Sequence, residues 1–423
     1  MASTHCIPDT RIDNLQKVSD IYDWFDPAVD HIVRQHLKVV PGTSRRTWEF
    51  AMIFLALHRA GKLHGTARGL ALGAGTERLI FAIADQVEHV VVTDLYQTDS
   101  RWVGVRTDNP QDLVMAHAPW PVPDGRIRAM RMDMRQIELP DDSFDFAWST
   151  GSFEHIGEDE DFIRHLNEVH RVLKPGGVYA FTTVVSYGSE SHRIPNNYYF
   201  HPEHFADLLH ASNLRPEPVF DCAVREHHFN KPSLETLEDF GCAAADAQLH
   251  AVVAWRRGTI NVANLAVLRK DDALPKVRPE VRGFAETKAR LWREADMLTR
   301  RLWTDWQELK PHRSGTGYVT GPQYFGSGTV EVEVDAIDRN GSAIEVEVLV
   351  RRPAPPLGRR VMATLQHDPG DAPLTFQARA DHLYALRVAR KDGGDAGSVR
   401  LRLRRARRSG AQLKPVAATA TAA

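Results

Sequence analysis

Short apolar runs alternate with amphipathic stretches from residue 69 to about 185, the pattern of strands and helices in an α/β domain. Leu70-Ala71-Leu72 and Val90-Val91-Val92-Thr93 are continuous apolar runs, as expected of strands buried on both faces. Between them, Glu77 to Ala84 reads as a helix. Further strands are predicted at Phe144 to Trp148 and Val178 to Val184, with a helix over Asp159 to Leu173 that stops at Lys174-Pro175-Gly176-Gly177. Upstream, residues 10–65 look helical. Ile21, Tyr22, Trp24 and Phe25 form one apolar cluster there, and Trp48, Phe50, Met52, Ile53, Leu55 and Leu57 form another. Residues 186–232 read as a long loop rich in His, Tyr, Asn and Pro, with one helix over His204 to Ser212. His250 to Trp255 and Ile260 to Leu268 form a closing antiparallel hairpin, with Arg257-Gly258 near its turn.

The period changes twice more. Leu291, Ala295, Leu298, Leu302, Trp306 and Leu309 recur in steps of three and four, one amphipathic helix widened by Trp292 and Trp303. Packing on its own domain is the expectation; a homodimer through residues 284–309, or through the domain that follows, is the alternative. After Pro311 the period is two. Val330, Val332 and Val334 alternate with Glu331, Glu333 and Asp335, and Ile344 to Val350 does likewise beyond an Asp338-Arg339-Asn340-Gly341 hairpin turn. Further strands fit around Met362, Phe376, Leu386 and Leu401. The arginines of Val399 to Arg405 share one face, a solvated face or an anion-binding one. The expected division is a helical region 1–68, an α/β domain 69–270, a helical linker 271–312, an antiparallel, sandwich-like β-domain 313–408 and a disordered tail 409–423.

Composition narrows the classes. The 423 residues give room for two domains. With 53 Lys and Arg against 55 Asp and Glu, no global field favours nucleic acid. Cys6, Cys222 and Cys242 fit neither a disulfide framework nor a metal site, and Met1 to Asn14 has no apolar core, so a cytoplasmic protein is expected. Phe50 to Leu57 is too short to span a bilayer.

The candidate chemistry begins at Gly73-Ala74-Gly75, a turn between the first strand and helix where backbone can approach a ligand closely. Asp94 ends the second strand about twenty residues on, where an acid takes ribose hydroxyls. A dinucleotide site would have a third glycine where Arg78 stands, which counts against a nicotinamide enzyme. A third acid, Asp133, is flanked by Met132 and Met134 and can accept from an adenine amino group. Leu139-Pro140-Asp141-Asp142-Ser143-Phe144-Asp145 then leads to Ser149, and Arg171-Val172-Leu173-Lys174-Pro175-Gly176-Gly177 leads to Thr183.

With these motifs in order, residues 69–185 resemble the class I S-adenosylmethionine-dependent methyltransferases, type 11-like. The resemblance implies a Rossmann-like seven-stranded sheet and S-adenosyl-L-methionine as cofactor. It places Gly73 and Gly75 under the methionyl part, Asp94 on the ribose, Asp133 and Met134 at the adenine, and Ser149 and Thr150 beside the methyl. Two departures stand out. The family has an acid where this chain has Ala71, and a glycine where it has Glu77. Either Glu77 supplies the missing carboxylate or it caps its helix.

Methyl transfer needs a positioned nucleophile and, for a hydroxyl, a proton acceptor. His155, just past the fourth strand, is the first candidate, because imidazole changes charge near neutral pH; Glu154 is the second. Tyr187, His192, Arg193, Tyr198 and His201 fall where such folds place a substrate lid, and their chemistry suits a polar acceptor such as a sugar or glycan. A metal site at His201, His204, Glu226, His227 and His228 is the weaker reading, since Pro202 at a helix start explains the first pair. A non-catalytic cofactor-binding scaffold, and a natural-product or lipid acceptor, are the alternatives.

Overall fold

The computed structural model describes residues 7–405 except 43, 98–102, 195–196, 235–251, 257–258, 302–306, 312–316, 321–327, 337–343, 352–359, 368–373, 379–382 and 391–398. In chain order the first half comprises β1 (Lys17–Val18), α1 (Pro27–His31), α2 (Arg45–Arg59), β2 (Arg68–Leu72), α3 (Arg78–Ala84), β3 (His89–Asp94), α4 (Pro110–Ala116), β4 (Ile127–Arg131), β5 (Phe144–Thr150), α5 (Asp159–Val172) and β6 (Leu173–Ser186). A small hairpin, β7 (His192–Ile194) and β8 (Asn197–Tyr199), precedes α6 (Pro202–Ala211). Then come β9 (Arg215–Pro216), β10 (Val219–Asp221), β11 (Ser233–Leu234), β12 (Val253–Arg256), β13 (Thr259–Arg269), β14 (Glu280–Arg282) and α7 (Phe284–Arg301).

The central sheet runs β14-β10-β1-β13-β6-β5-β2-β3-β4. Strands β2 to β6 are parallel to one another, and β13 returns antiparallel beside β6, from Asn261 opposite Ser186 to Arg269 opposite Val178. The order reverses at β2, with β3 and β4 on one side and β5 and β6 on the other. That reversal opens a crevice outside the carboxyl ends of β2 and β5, the place where such sheets take ligands. Alternate side chains build two cores. Ala71, Phe146, Trp148, Val178 and Ala180 face the cluster with α2 and α3. Leu70, Leu72, Ala147, Tyr179 and Phe181 face the cluster with α5 and α6.

The sheet is the Rossmann-like one expected, extended to twelve strands. One added strand comes from the N-terminal region, which was expected to be helical throughout. Lys17–Val18 inserts between β13 and β10, held by Ser19 N–H on Ala263 O (2.7 Å) and by the Gln16 amide on Glu217 O (2.8 Å). A two-residue strand has too little periodicity to show in the sequence. The expected closing hairpin is β12 paired with β13; its turn lies outside the described residues. Helix α5 ends at Val172 with Leu173 as its C-cap, so Lys174 to Gly177 belong to the opening of the strand.

Among the described residues the amphipathic helix runs Phe284–Arg301, and Leu309 lies outside it. Leu291 and Ala295 enter the core shared with Phe220 and Val252, and the Trp292 indole donates to Tyr187 O (2.7 Å), so at these positions the helix packs on its own chain. Leu309 belongs instead to the β-domain core, with Val330, Val346, Leu386 and Leu401. Two sheets enclose that core. One runs β15 (Gln307–Glu308), β23 (Val399–Arg405), β18 (Gly328–Ala336), β21 (Leu374–Ala378). The other runs β16 (Lys310–Pro311), β17 (Tyr318–Val319), β22 (Leu383–Arg390), β19 (Ile344–Arg351), β20 (Arg360–His367). The arginines of β23 fall opposite acids of β18 in register, Arg400 with Asp335, Arg402 with Glu333 and Arg404 with Glu331, and Arg402 pairs with Glu333. The Asn-Gly turn and the tail lie outside the described residues. Among the described residues, no helix is long and apolar enough to cross a membrane.

Candidate cofactor and active site

The crevice is built on the turn after β2. Gly73 and Gly75 have φ of 61° and 52°, the left-handed region. A Cβ on Gly73 would lie 2.7 Å from the Ser152 Cβ, and one on Gly75 would lie 2.9 Å from Val105 Cγ1. Ser152 closes the turn by donating its hydroxyl to Gly73 O (2.7 Å). Gly73→Ala therefore meets both strained backbone and a clash. We expect a loss of about 1–3 kcal/mol of stability, read by urea unfolding, together with weaker cofactor binding.

Asp94 ends β3 with its carboxylate turned to the same turn. Oδ2 accepts from Gly75 N–H (2.9 Å) and Oδ1 from Leu95 N–H (2.7 Å), while burial pushes its pKa up. Tyr96 O–H donates to Gly75 O (2.6 Å), so β3 fixes the turn at two points.

At the far end, Asp133 is gripped by Arg135, whose Nε lies 3.0 and 3.1 Å from its two oxygens. That guanidinium holds the Asp133 carboxyl below the usual range. Met134 is buried, with its sulfur 3.5 Å from where a Gly73 Cβ would stand. Its carbonyl meets His165 Nδ1 (2.8 Å), and His165 Nε2 meets Tyr179 Oη (2.8 Å). Burial lowers the His165 pKa to about 4. The ring is therefore neutral at pH 7. Since a carbonyl only accepts, Nδ1 carries the proton and Nε2 accepts from the Tyr179 hydroxyl.

Glu77 stands at the N-cap of α3 but makes no side-chain cap bond. Its Oε1 reaches β5 and accepts from Trp148 Nε1 (3.0 Å) and Thr150 Oγ1 (3.1 Å). Ala71 lies beside Trp148 across the sheet, in the same cluster, so the Glu77 carboxylate occupies the neighbourhood of the missing acid. Burial pushes its pKa up to about 8.

Past β5 the chain turns at Gly151 (φ 57°) into the short helical turn Phe153–His155. Glu154 is buried and His155 half-buried. Glu154 Oε2 is a buried polar atom without a hydrogen-bond partner among the described residues, while the buried Ser149 hydroxyl lies beside that of Tyr179. The first turn of α2 covers this end. Arg45 and Arg46 both pair with the buried Glu49, Arg45 Nη2 lies 3.7 Å from Glu154 Oε1, and Arg46 Nη1 donates to Thr150 O (3.1 Å). These α2 residues went unseen in the sequence, being about a hundred positions from the strand end they touch.

The expected lid residues are placed differently. Tyr187 is fully buried, donates its hydroxyl to Cys222 O (2.6 Å) and stacks on Phe284. His192 is buried against Tyr199. Tyr198 stacks on Phe200, His201 caps α6, and Arg193 pairs with Glu158. Rings of this segment pack on α5 through Phe162 and on α7 through Phe284, while Arg193 is exposed. His204 likewise bridges Ser191 and Asp159, and His227 caps residues 228–230.

Cradling glycines, an acid on the second strand and the unpartnered Glu154 oxygen past the strand end fit an adenosyl amino acid. Residues 70–181 match the family of methyltransferase domains. The malonyl-[acyl-carrier protein] O-methyltransferase of Salmonella typhimurium is 26% identical over 199 residues, 46% of this chain and 61% of that protein. The chain thus spans about three fifths of this relative's length. Among solved structures, the [4+2]-cyclase SpnF is 22% identical (46% of this chain, 70% of that one, TM-score 0.31). An S-adenosylmethionine-dependent methyltransferase from Mesorhizobium loti is 19% identical (51% and 96%, TM-score 0.31). The domain is a class I S-adenosylmethionine-dependent methyltransferase. S-adenosylmethionine is its cofactor.

Proposed function

We propose that this chain transfers a methyl group to an oxygen of a small polar acceptor, a sugar or glycan among them. The observation that carries the reading is the Asp94 carboxylate locked onto the Gly75 N–H at the point where the strand order reverses. The match to a relative named for O-methylation favours oxygen as the acceptor atom.

When bound, the cofactor supplies an activated methyl carbon and a neutral leaving group. The protein's part is to position and to remove a proton. Gly73 and Gly75 let backbone pass close beneath the methionyl group. Asp94 accepts from the ribose hydroxyls, and Asp133 from the adenine amino group with Met134 alongside. Ser149 and Thr150 border the methyl, and Glu77 accepts from the ammonium. His155 or Glu154 takes the acceptor's proton; Glu154 is buried, with its Oε2 unpartnered among the described residues.

Incubating the protein with methyl-labelled cofactor and a panel of hydroxylated acceptors tests this directly. Label in a sugar or glycan supports the reading, and label only in lipids or natural products moves the acceptor class. Thermal stabilisation by cofactor without transfer to any acceptor would indicate a binding scaffold. His155→Ala is expected to lower kcat about a hundredfold with cofactor affinity intact. Unchanged turnover would assign the proton to Glu154, for which Glu154→Gln is the matching variant.

A further inference from the structure

A carboxyl group and a guanidinium straddle Thr150 at the end of β5. On one side its hydroxyl donates to Glu77 Oε1 (3.1 Å), and on the other its carbonyl accepts from Arg46 Nη1 (3.1 Å). The two groups come from distant parts of the chain, α2 and the start of α3. Arg46 is close enough to act electrostatically on Glu77. Its Nη1 also lies 3.3 Å from where a Cβ on Gly151 would stand, so the positive φ there leaves the guanidinium room over the strand end. With a side chain 55% exposed, Arg46 keeps donors free to turn inward after satisfying Glu49. Arg45 is less suited, because its guanidinium is directed at Glu49 and Glu154.

An α-amino acid head carries an ammonium and a carboxylate on one carbon. We propose that Arg46 and Glu77 form a clamp for that head, Arg46 taking the carboxylate of the cofactor's methionyl group and Glu77 its ammonium. The assignment rests on the domain's being a cofactor site, and it brings a helix outside residues 70–181 into that site.

Calorimetric binding of S-adenosylmethionine and of its decarboxylated form, to the wild type, Arg46→Ala and Arg46→Lys, tests the clamp. The wild type should prefer the full cofactor at least tenfold. Arg46→Ala should reduce that preference below about threefold by losing affinity for the full cofactor alone, and Arg46→Lys should restore part of it. A preference that survives in Arg46→Ala, or an equal loss for both ligands in a folded variant, overturns the assignment. A wild type that binds neither ligand would instead remove the cofactor site itself, and the clamp with it.

Discussion

Replacing Glu77 by glutamine should make the cofactor-free protein more stable above neutral pH while weakening cofactor binding at least tenfold. The two effects share one cause. The Glu77 carboxyl has a pKa raised to about 8 from 4.5 by burial, so ionising it costs more in the folded chain than in the unfolded one. A raised folded pKa contributes stability that is fully present below the unfolded value and lost as pH rises through the folded value. Between pH 4.5 and about 8 the folded protein therefore loses stability relative to the glutamine variant, by at most about 1.4 kcal/mol per pH unit. Glutamine does not titrate, and its amide oxygen still accepts from Trp148 and Thr150. Urea unfolding at pH 5 to 9 should show the gap between variants opening with pH and levelling above about 8.

Binding has the opposite sign. A cofactor ammonium favours the ionised carboxylate, so binding below pH 8 releases a proton and tightens as pH rises towards 8. Calorimetry in two buffers of different ionisation enthalpy reads that proton. A pH-independent stability gap together with unchanged affinity would leave Glu77 as packing only.

Asp94→Ala is expected to reduce cofactor affinity about a hundredfold and stability by about 2 kcal/mol. The carboxylate satisfies two backbone donors, Gly75 N–H and Leu95 N–H, and orients the turn on which the ribose would rest. Removing it leaves those donors to solvent or unpaired and deletes the acceptor for two ribose hydroxyls. The ligand 5′-methylthioadenosine has the ribose but not the amino acid head. Its affinity should fall as steeply as that of the full cofactor in Asp94→Ala and stay constant in Glu77→Gln. If 5′-methylthioadenosine binds Asp94→Ala as well as it binds the wild type, the ribose contact lies elsewhere.

The glycine turn and Asp94 were legible because each sits at the end of a short apolar run whose period names it a buried strand. The Glu77 question was also visible, as a departure at a position with a strong expectation. Its answer was not. Whether a carboxylate at a helix start turns back to the helix or across to Trp148 depends on where β5 lies, some seventy residues on. Asp133 shows the same limit at short range, since nothing in Met132-Asp133-Met134-Arg135 tells that the guanidinium folds back over the acid. The lid residues meet the same limit. Tyr, His and Asn suit both a polar pocket and a tightly hydrogen-bonded interior, and composition does not separate them. Tyr187 chose the interior because the carbonyl of Cys222 and the ring of Phe284 were there to receive it.

The sequence by itself determined the parallel α/β domain, its glycine turn with the acid on the next strand, the closing hairpin and the alternating strands of the β-domain. Each is written in contacts between near neighbours or in a period of two or 3.6 residues. Only the tertiary structure decided that residues 17–18 join the central sheet, that Leu309 leaves the helix for the second core, and that Arg46 and Glu77 meet on either side of Thr150. Those contacts join segments far apart in the chain. Their geometry follows from strand order and helix packing, which no local pattern of residues encodes.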